Sequence, residues 1–347
     1  MSGLERIWYP PEGETLAARL KLSPLAALSL GFGAAVALRN ASFDLGWRTP
    51  VRVEGARVIS VGNLNVGGAG KTPAVIHLVQ RALAKGMEVA VLSRGYGRRS
   101  AEELSFDATS PVTSAEVGDE PLLIARRLPG VRVWVGADRV SIAHKARAAG
   151  AALLVLDDGF QHRRLARDAD VVVINEALGF GNGALLPRGP LREPPSSLRR
   201  ASLLWLRAGV GPQHPLPFDG PIVRARHAPS SIRAADGSEL PLESLRGRRV
   251  LAFSALADPR AFPRTVQALG AEVVEARPFP DHHAFSATEL AELVRDARAR
   301  GAELITTEKD AMRLPEQIDA WVLRLDVEIL EGAAHLDALL APPGQNG

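Results

Sequence analysis

Short runs of aliphatic and β-branched residues recur along the chain, each followed by a stretch with helical spacing. Residues 57–61 (RVISV), 88–93 (EVAVLS), 131–135, 153–156 (LLVL) and 171–174 read as strands. LLVL contains no polar position, as expected of a parallel strand covered on both faces. Residues 72–84 place Val75, Leu78, Val79 and Leu83 on one helical face, with Pro73 allowed in the first turn and Gly86 closing the helix. Residues 120–127 and 141–149 read as further helices. This rhythm predicts a doubly wound parallel α/β domain. At 209–221 (GVGPQHPLPFDGP), four Pro and three Gly rule out a helix and predict a linker or hinge. The rhythm then resumes, with strands at 249–254, 272–276, 304–306 and 321–325 and helices within 259–269 and 287–300, so a second, smaller α/β domain is expected. The resulting division is an N-terminal helical segment (1–45), a core (46–208), a linker (209–230), the smaller domain (231–335) and a flexible tail (336–347).

The N-terminal segment holds a separate apolar run, LAALSLGFGAAVAL at 25–38. Its 14 residues fall short of the roughly 20 that a membrane span needs. Arg19 and Lys21 precede it, Arg39, Arg48 and Arg52 follow it, and Trp8, Tyr9 and Trp47 flank it. Two readings stand: a helix packed on the protein's own core, or one lying on an anionic bilayer surface. Composition narrows the chemistry. The 347 residues include no cysteine, which removes disulfides, thiolate zinc sites and cysteine nucleophiles. The net charge of +3, from 42 basic and 39 acidic residues, is too balanced to imply a nucleic-acid partner.

The strongest chemical signal is a phosphate-binding loop. Asn65, Val66, Gly67, Gly68, Ala69, Gly70, Lys71 and Thr72 follow a predicted strand and open a predicted helix. Glycines let backbone N–H groups approach phosphate oxygens, and the helix N-terminus adds partial positive charge. Lys71 is expected to reach the β/γ-phosphates and Thr72 to offer a hydroxyl to Mg²⁺. The fold class is therefore P-loop NTPase-like. The loop departs from the usual pattern at Asn65, where Gly is the norm. Val66 stands where membrane-partitioning ATPases carry a signature lysine, and Thr307-Glu308-Lys309-Asp310 has Glu308 where a guanine-reading motif has lysine. ATP is favoured over GTP.

Three acidic sites follow. LLVL runs into Asp157 and Asp158, at the strand end where a metal-organising carboxylate belongs, with Gln161 and His162 placed to hold a metal-bound water or a phosphate oxygen. Asp119 and Glu120 precede a helix. Asp119 is either an N-cap or, with Glu120 as the alternative, the carboxylate that accepts an attacking hydroxyl's proton. Asp281-His282-His283 follows a stiff Pro-Phe-Pro loop. Arg94 and Arg98, then Arg188, Arg192 and Glu193, sit in loops suited to an anionic substrate. Arg163, Arg164 and Arg167 read as a solvated helix face.

The ordered set SVGNLNVGGAGKTP, SRGYGR, GDEP, DDGFQH, LPRGPLREP, DHH-x-F and TTEKDA resembles the tetraacyldisaccharide 4'-kinases, the lipid A kinases of Gram-negative bacteria. The resemblance covers about residues 15–325. It implies ATP- and Mg²⁺-dependent phosphorylation of the 4'-hydroxyl of a tetraacylated, 1-phosphorylated glucosamine disaccharide. It also implies a monotopic enzyme on the cytoplasmic face of the inner membrane, with a phosphate-loop core, a smaller α/β domain and a β-type linker; a monomer is expected. It settles the N-terminal question toward an interfacial helix around 15–40. Matched residue by residue, it places the catalytic carboxylate on Asp119, its partner on His282, and Lys71 at the transferred phosphate. It puts Thr72, Asp157 and Gln161 on the metal side, and Glu120, Asp158, His162, Arg192 and Glu193 on the substrate side. If His282 lies on the smaller domain, cleft closure completes the site. His283 receives no catalytic role, and 307–310 matches a family motif whose physical role the residues do not disclose. The competing functional class is a membrane-associated ATPase switch acting on a protein partner.

Overall fold

The computed structural model describes residues 7–9, 23–209, 216–256, 258–281, 283–315 and 317–341. Its frame is one continuous sheet of thirteen strands. The first half takes β1 (Arg57–Gly62), β2 (Val89–Ser93), β3 (Leu104–Phe106), β4 (Arg132–Val135), β5 (Leu153–Asp157), β6 (Ala169–Asn175) and β7 (Leu203–Arg207), ordered β3-β4-β2-β5-β1-β6-β7. All neighbours here are parallel except the β3–β4 pair. Every residue of β2 and β5 is buried, which explains their apolar runs, each broken only by the last residue, Ser93 or Asp157. Helices α2 (Lys71–Ala84), α3 (Ser114–Val117), α4 (Asp119–Arg127) and α5 (Arg139–Ala148) cover its faces. Val75, Leu78 and Val79 of α2 are fully buried against Val155, Val171 and Trp205.

The second half adds β10 (Arg249–Ser254), β11 (Glu272–Pro278) and β12 (Glu303–Thr307), with α6 (Ala261–Ala268), α7 (Ala287–Ala299) and α8 (Glu308–Ala311). The halves meet through β8 (Ile222–Arg233) and β13 (Trp321–Glu331), a long antiparallel ribbon within the same sheet, to which the short β9 (Glu239–Leu240) is added. Residues 222–230, expected as linker, are thus mostly strand, paired to β7 on one side and β13 on the other. The tail is also corrected. After β13 the chain forms α9 (Ala333–Leu340), whose Leu336 and Leu340 are fully buried in the core of the first half. Residues 342–347 lie outside the described residues.

Helix α1 (Ser23–Asp44) runs eight residues beyond the 14-residue apolar run, to 22, and Pro24–Asp44 is long and apolar enough to cross a membrane by length and composition. Only 11% of its apolar window is buried. One stripe at helical spacing docks on the body: Ser29 donates to the Leu185 carbonyl at 2.8 Å, Gly33 allows close approach to Leu185, and Asn40 donates to Glu193 at 2.8 Å. Leu28, Leu30 and Leu38 point to solvent, Leu30 at 77% exposure. Such an apolar face fits membrane association. Residues 10–22, including Arg19 and Lys21, lie outside the described residues.

Candidate active site

Parallel register brings the phosphate loop and the acidic strand end together. Val61 of β1 pairs with Asp157 of β5, so both strands release their chains at the same sheet edge. Gly70, at φ +94°, turns the loop into α2, and a Cβ there would stand 2.7 Å from His227 Cε1. At Gly67 and Gly68 a Cβ would meet no atom within 4 Å, so the loop opens onto free space. Asn65 replaces the customary glycine without disrupting the loop: its Nδ2 donates to the Gly179 carbonyl at 2.9 Å. The 188–193 segment lies alongside, with Val66 N donating to Pro190 O at 2.8 Å and Arg192 N to Leu64 O at 2.7 Å.

Lys71 lies 3.6 Å from Asp158 Oδ1 and 3.4 Å from Asn63 Oδ1. Arg192 Nη1 reaches both Asp158 oxygens, at 3.0 and 2.8 Å. Burial works to raise the Asp158 carboxyl, but Lys71 and Arg192 outweigh it and hold it below the ordinary carboxylate value. Asp158 adopts φ +54°, alone among described non-glycine residues in the left-handed region, and that turn swings its side chain toward both cations. Asp158, expected on the substrate side, therefore also organises the P-loop lysine.

Asp157 has a different environment. It is buried, with Ser93 Oγ donating to its Oδ2 at 3.0 Å while Oδ1 has no partner. Burial, then the negative charges of Glu120 and Asp158, push its carboxyl up to about 7. Gln161 donates to the Asn63 carbonyl at 2.9 Å, leaving its own buried Oε1 unpaired. Thr72 is buried in the first turn of α2. Among the described residues no cluster of three His, Asp or Glu side chains forms a ready-made metal cage. Thr72, Asp157 and Gln161 instead offer scattered oxygens, two of them unsatisfied, which suits a hard cation that takes its remaining ligands from phosphate and water. His162 is pushed down to about 4, by burial and then by Arg139, Arg167 and Arg164, and is neutral near pH 7 with its buried Nε2 unpaired.

Other expected residues fall differently. Asp119 is the first residue of α4 and Gly118 takes the N-cap position. The Asp119 carboxylate accepts instead from Arg313, at 3.2 Å from Nε and 2.5 Å from Nη2. Glu193, expected on the substrate side, has a structural role in the described residues. It is fully buried, and Arg39, Asn40 and Arg200 hold its carboxylate at 3.1, 2.8 and 2.8 Å. Two cations and an amide thus occupy both oxygens. Arg163, Arg164 and Arg167 lie in no helix; buried Leu165 pins the segment as a loop, and half-buried Arg167 pairs with Asp170. Arg98 bonds its own loop at Glu102 O and Ala101 O, and Arg188 is exposed. His283 is held by Glu289 at 3.0 Å and stacks on Phe279. His282 lies outside the described residues.

Sequence reading passed over three neighbours of the loop: Asn63, Arg207 and His227. A Cβ at Gly70 would meet Arg207 Cδ at 3.2 Å as well as His227. Burial, then Arg207, lowers the His227 imidazole to about 3. Asn63 lies within the SVGNLNVGGAGKTP segment, whereas Arg207 and His227 reach the loop only through strand pairing.

A strand, a glycine-turned loop and a helix beside a strand-end acidic pair make this a P-loop α/β protein built to hold a nucleotide. A profile of the tetraacyldisaccharide-1-P 4'-kinase family (LpxK) matches residues 21–342, and the chain belongs to that family of lipid A kinases. It is 50% identical to the tetraacyldisaccharide 4'-kinase of Anaeromyxobacter dehalogenans (strain 2CP-C), covering 98% of this chain and 95% of that protein. It is 42% identical to that of Rhodospirillum centenum, covering 96% and 95%. The crystal structure of LpxK from Aquifex aeolicus in complex with ATP superposes with a TM-score of 0.77 at 32% identity, covering 92% of this chain and 98% of that one. The expected fold class, with its N-terminal helix, agrees with that likeness.

Proposed function

We propose that this kinase transfers the γ-phosphate of ATP to the 4'-hydroxyl of tetraacyldisaccharide 1-phosphate at the cytoplasmic face of the inner membrane. The observation that carries the reading is the meeting of Lys71, unsatisfied Asp157 Oδ1 and the open Gly67–Gly68 turn at one sheet edge. A triphosphate laid on the loop places its terminal phosphate beside Lys71. Arg192 adds a second cation there as negative charge spreads over the transferring group. Thr72, Asp157 and Gln161 would hold Mg²⁺, which when bound neutralises phosphate charge. Asp119, with His282 as its partner, orients the sugar hydroxyl in line and takes its proton late. His162, neutral near pH 7, offers a hydrogen bond without adding charge. The apolar face of α1 keeps the acyl chains in lipid while the sugar reaches ATP.

The test is transfer of labelled γ-phosphate to tetraacyldisaccharide 1-phosphate in vesicles, with and without Mg²⁺. Labelled lipid formed only with the metal is the expected result. ATP hydrolysis on vesicles with no labelled lipid would favour the ATPase-switch reading instead. Asp119→Ala should cost several orders of magnitude in turnover while ATP still binds; near-normal turnover removes Asp119 from the chemistry.

A further inference from the structure

The motif at 307–310 has a physical role in the three-dimensional arrangement. Thr307 ends β12 and caps α8, accepting from Asp310 N at 3.1 Å and donating to Asp310 Oδ2 at 2.6 Å. Ala255 N donates to the same oxygen at 3.2 Å. Asp310 is fully buried, and its other oxygen accepts from Arg313 Nη1 at 3.2 Å. Three residues along the helical turn, Arg313 thus leaves the second half of the sheet with its direction fixed. Its remaining donors, Nε and Nη2, converge on Oδ2 of Asp119, in the first half, 194 residues away in sequence. Nη1 also donates to the His283 carbonyl at 3.3 Å, next in sequence to His282.

We propose that Arg313 is a positioning residue for phosphoryl transfer. Held by Asp310, it sets the orientation of the Asp119 carboxylate and its spacing from the loop that carries His282. The inference rests on the reading of Asp119 as the group that receives the hydroxyl proton. Two hydrogens of one rigid guanidinium converging on Oδ2 fix the position of that oxygen in a way that a single mobile ammonium does not. Both fork hydrogens take one oxygen, so Oδ2 serves the clamp and Oδ1 lies outside the Arg313 contact. Misplacing a reacting group by about 1 Å costs on the order of a hundredfold in rate.

A second bridge supplies the control. Arg127 of α4 reaches Glu308 of the same motif at 2.8 Å and also pairs with Asp326, joining the halves without touching Asp119. If Arg313 merely held the halves together, loss of Arg127 would do the same.

The experiment compares Arg313→Ala, Arg313→Lys and Arg127→Gln, each in the wild-type and Asp119→Ala backgrounds, using labelled-phosphate transfer, the KM for ATP and the thermal midpoint. Arg313→Ala should lower kcat roughly 30- to 100-fold with the ATP KM changed less than about threefold. Arg313→Lys keeps a cation beside Asp310 and its folding midpoint, but loses the fork and about tenfold in kcat. In the Asp119→Ala background neither should lower turnover further by more than about twofold, because the guanidinium acts through that carboxylate. Arg127→Gln should stay within about threefold. Equal losses in both backgrounds, an Arg127→Gln loss matching that of Arg313→Ala, or near-normal kcat in Arg313→Ala would each overturn the positioning role. Near-normal turnover in Asp119→Ala alone is a separate outcome: it removes the base assignment, and the positioning role with it.

Discussion

Lys71 Nζ stands 3.6 Å from Asp158 Oδ1, so the lysine of the phosphate loop is aimed by a carboxylate that Arg192 also grips. The pair acts as a unit. Lys71→Ala should cost on the order of a hundredfold in kcat/KM, and Asp158→Ala roughly tenfold. The double variant should lose little more than Lys71→Ala, because the carboxylate works through the ammonium. Steady-state transfer kinetics decide; losses that multiply would show two independent roles.

Asp157 gives a pH dependence. Its carboxyl is raised to about 7 in the folded protein against 3.8 for the ordinary group, so between these values the folded state carries the extra proton. Its contribution is intact at pH below about 4 and is lost as pH rises through about 7. Asp157→Asn should therefore melt a few degrees above wild type at pH 8 in metal-free buffer, the gap closing toward pH 4. A gap that widens on acidification would contradict the assignment. Transfer activity of the same variant should fall at every pH, since the amide is a poorer ligand for a hard cation.

Glu193 holds helix α1 to the body. Glu193→Ala would strand Arg39 and Arg200 against each other, with the Asn40 side-chain N–H left without its acceptor. Breaking a buried charge cluster from one side costs about 3–5 kcal/mol. Urea unfolding should show a lower midpoint, and protease should cut sooner after α1. Turnover with a soluble acceptor should fall less than turnover on vesicles, because the cleft itself loses no group.

The exposed face of α1 yields a binding prediction. Leu30 and Leu38 are 77% and 66% exposed, so Leu30→Glu with Leu38→Glu should leave the folding midpoint nearly unchanged. Removing that apolar area and adding two negative charges should weaken co-sedimentation with anionic vesicles at least tenfold. Unaltered sedimentation would place the membrane contact elsewhere.

The parts readable in sequence were those whose signal is local. The phosphate loop announces itself by glycine spacing, and β5 by four consecutive apolar residues. The residue pattern alone does not mark strand β8, which falls largely within the β-type linker implied by the resemblance, because half its positions are polar and Pro229 interrupts it. Pro229 lacks an N–H, and the ladder accommodates it where the register shifts between Arg324 and Leu325. The 163–167 segment mimicked a helix face by spacing its arginines, yet Leu165 is buried and the arginines find partners in Asp44, Asp138 and Asp170. Glu193 looked like a ligand residue because its three donors are remote in the chain or carry no motif. For Asp119 the residue pattern alone left a cap and a base both open, because Arg313 reaches it only once the sheet is assembled.

The β8–β13 ribbon makes the distal lobe an excursion from the kinase core. The outgoing and homeward strands are already cross-paired at Arg233 and Val322, and α9 then returns to the starting layer. A tight turn joining those two positions would seal the stalk and excise everything beyond it with no gap to bridge. Two tethers also forbid free swivelling. Whatever travel the lobe makes over a bound nucleotide is flexure of a twin-stranded spring, with a restoring force that a single flexible joint would lack.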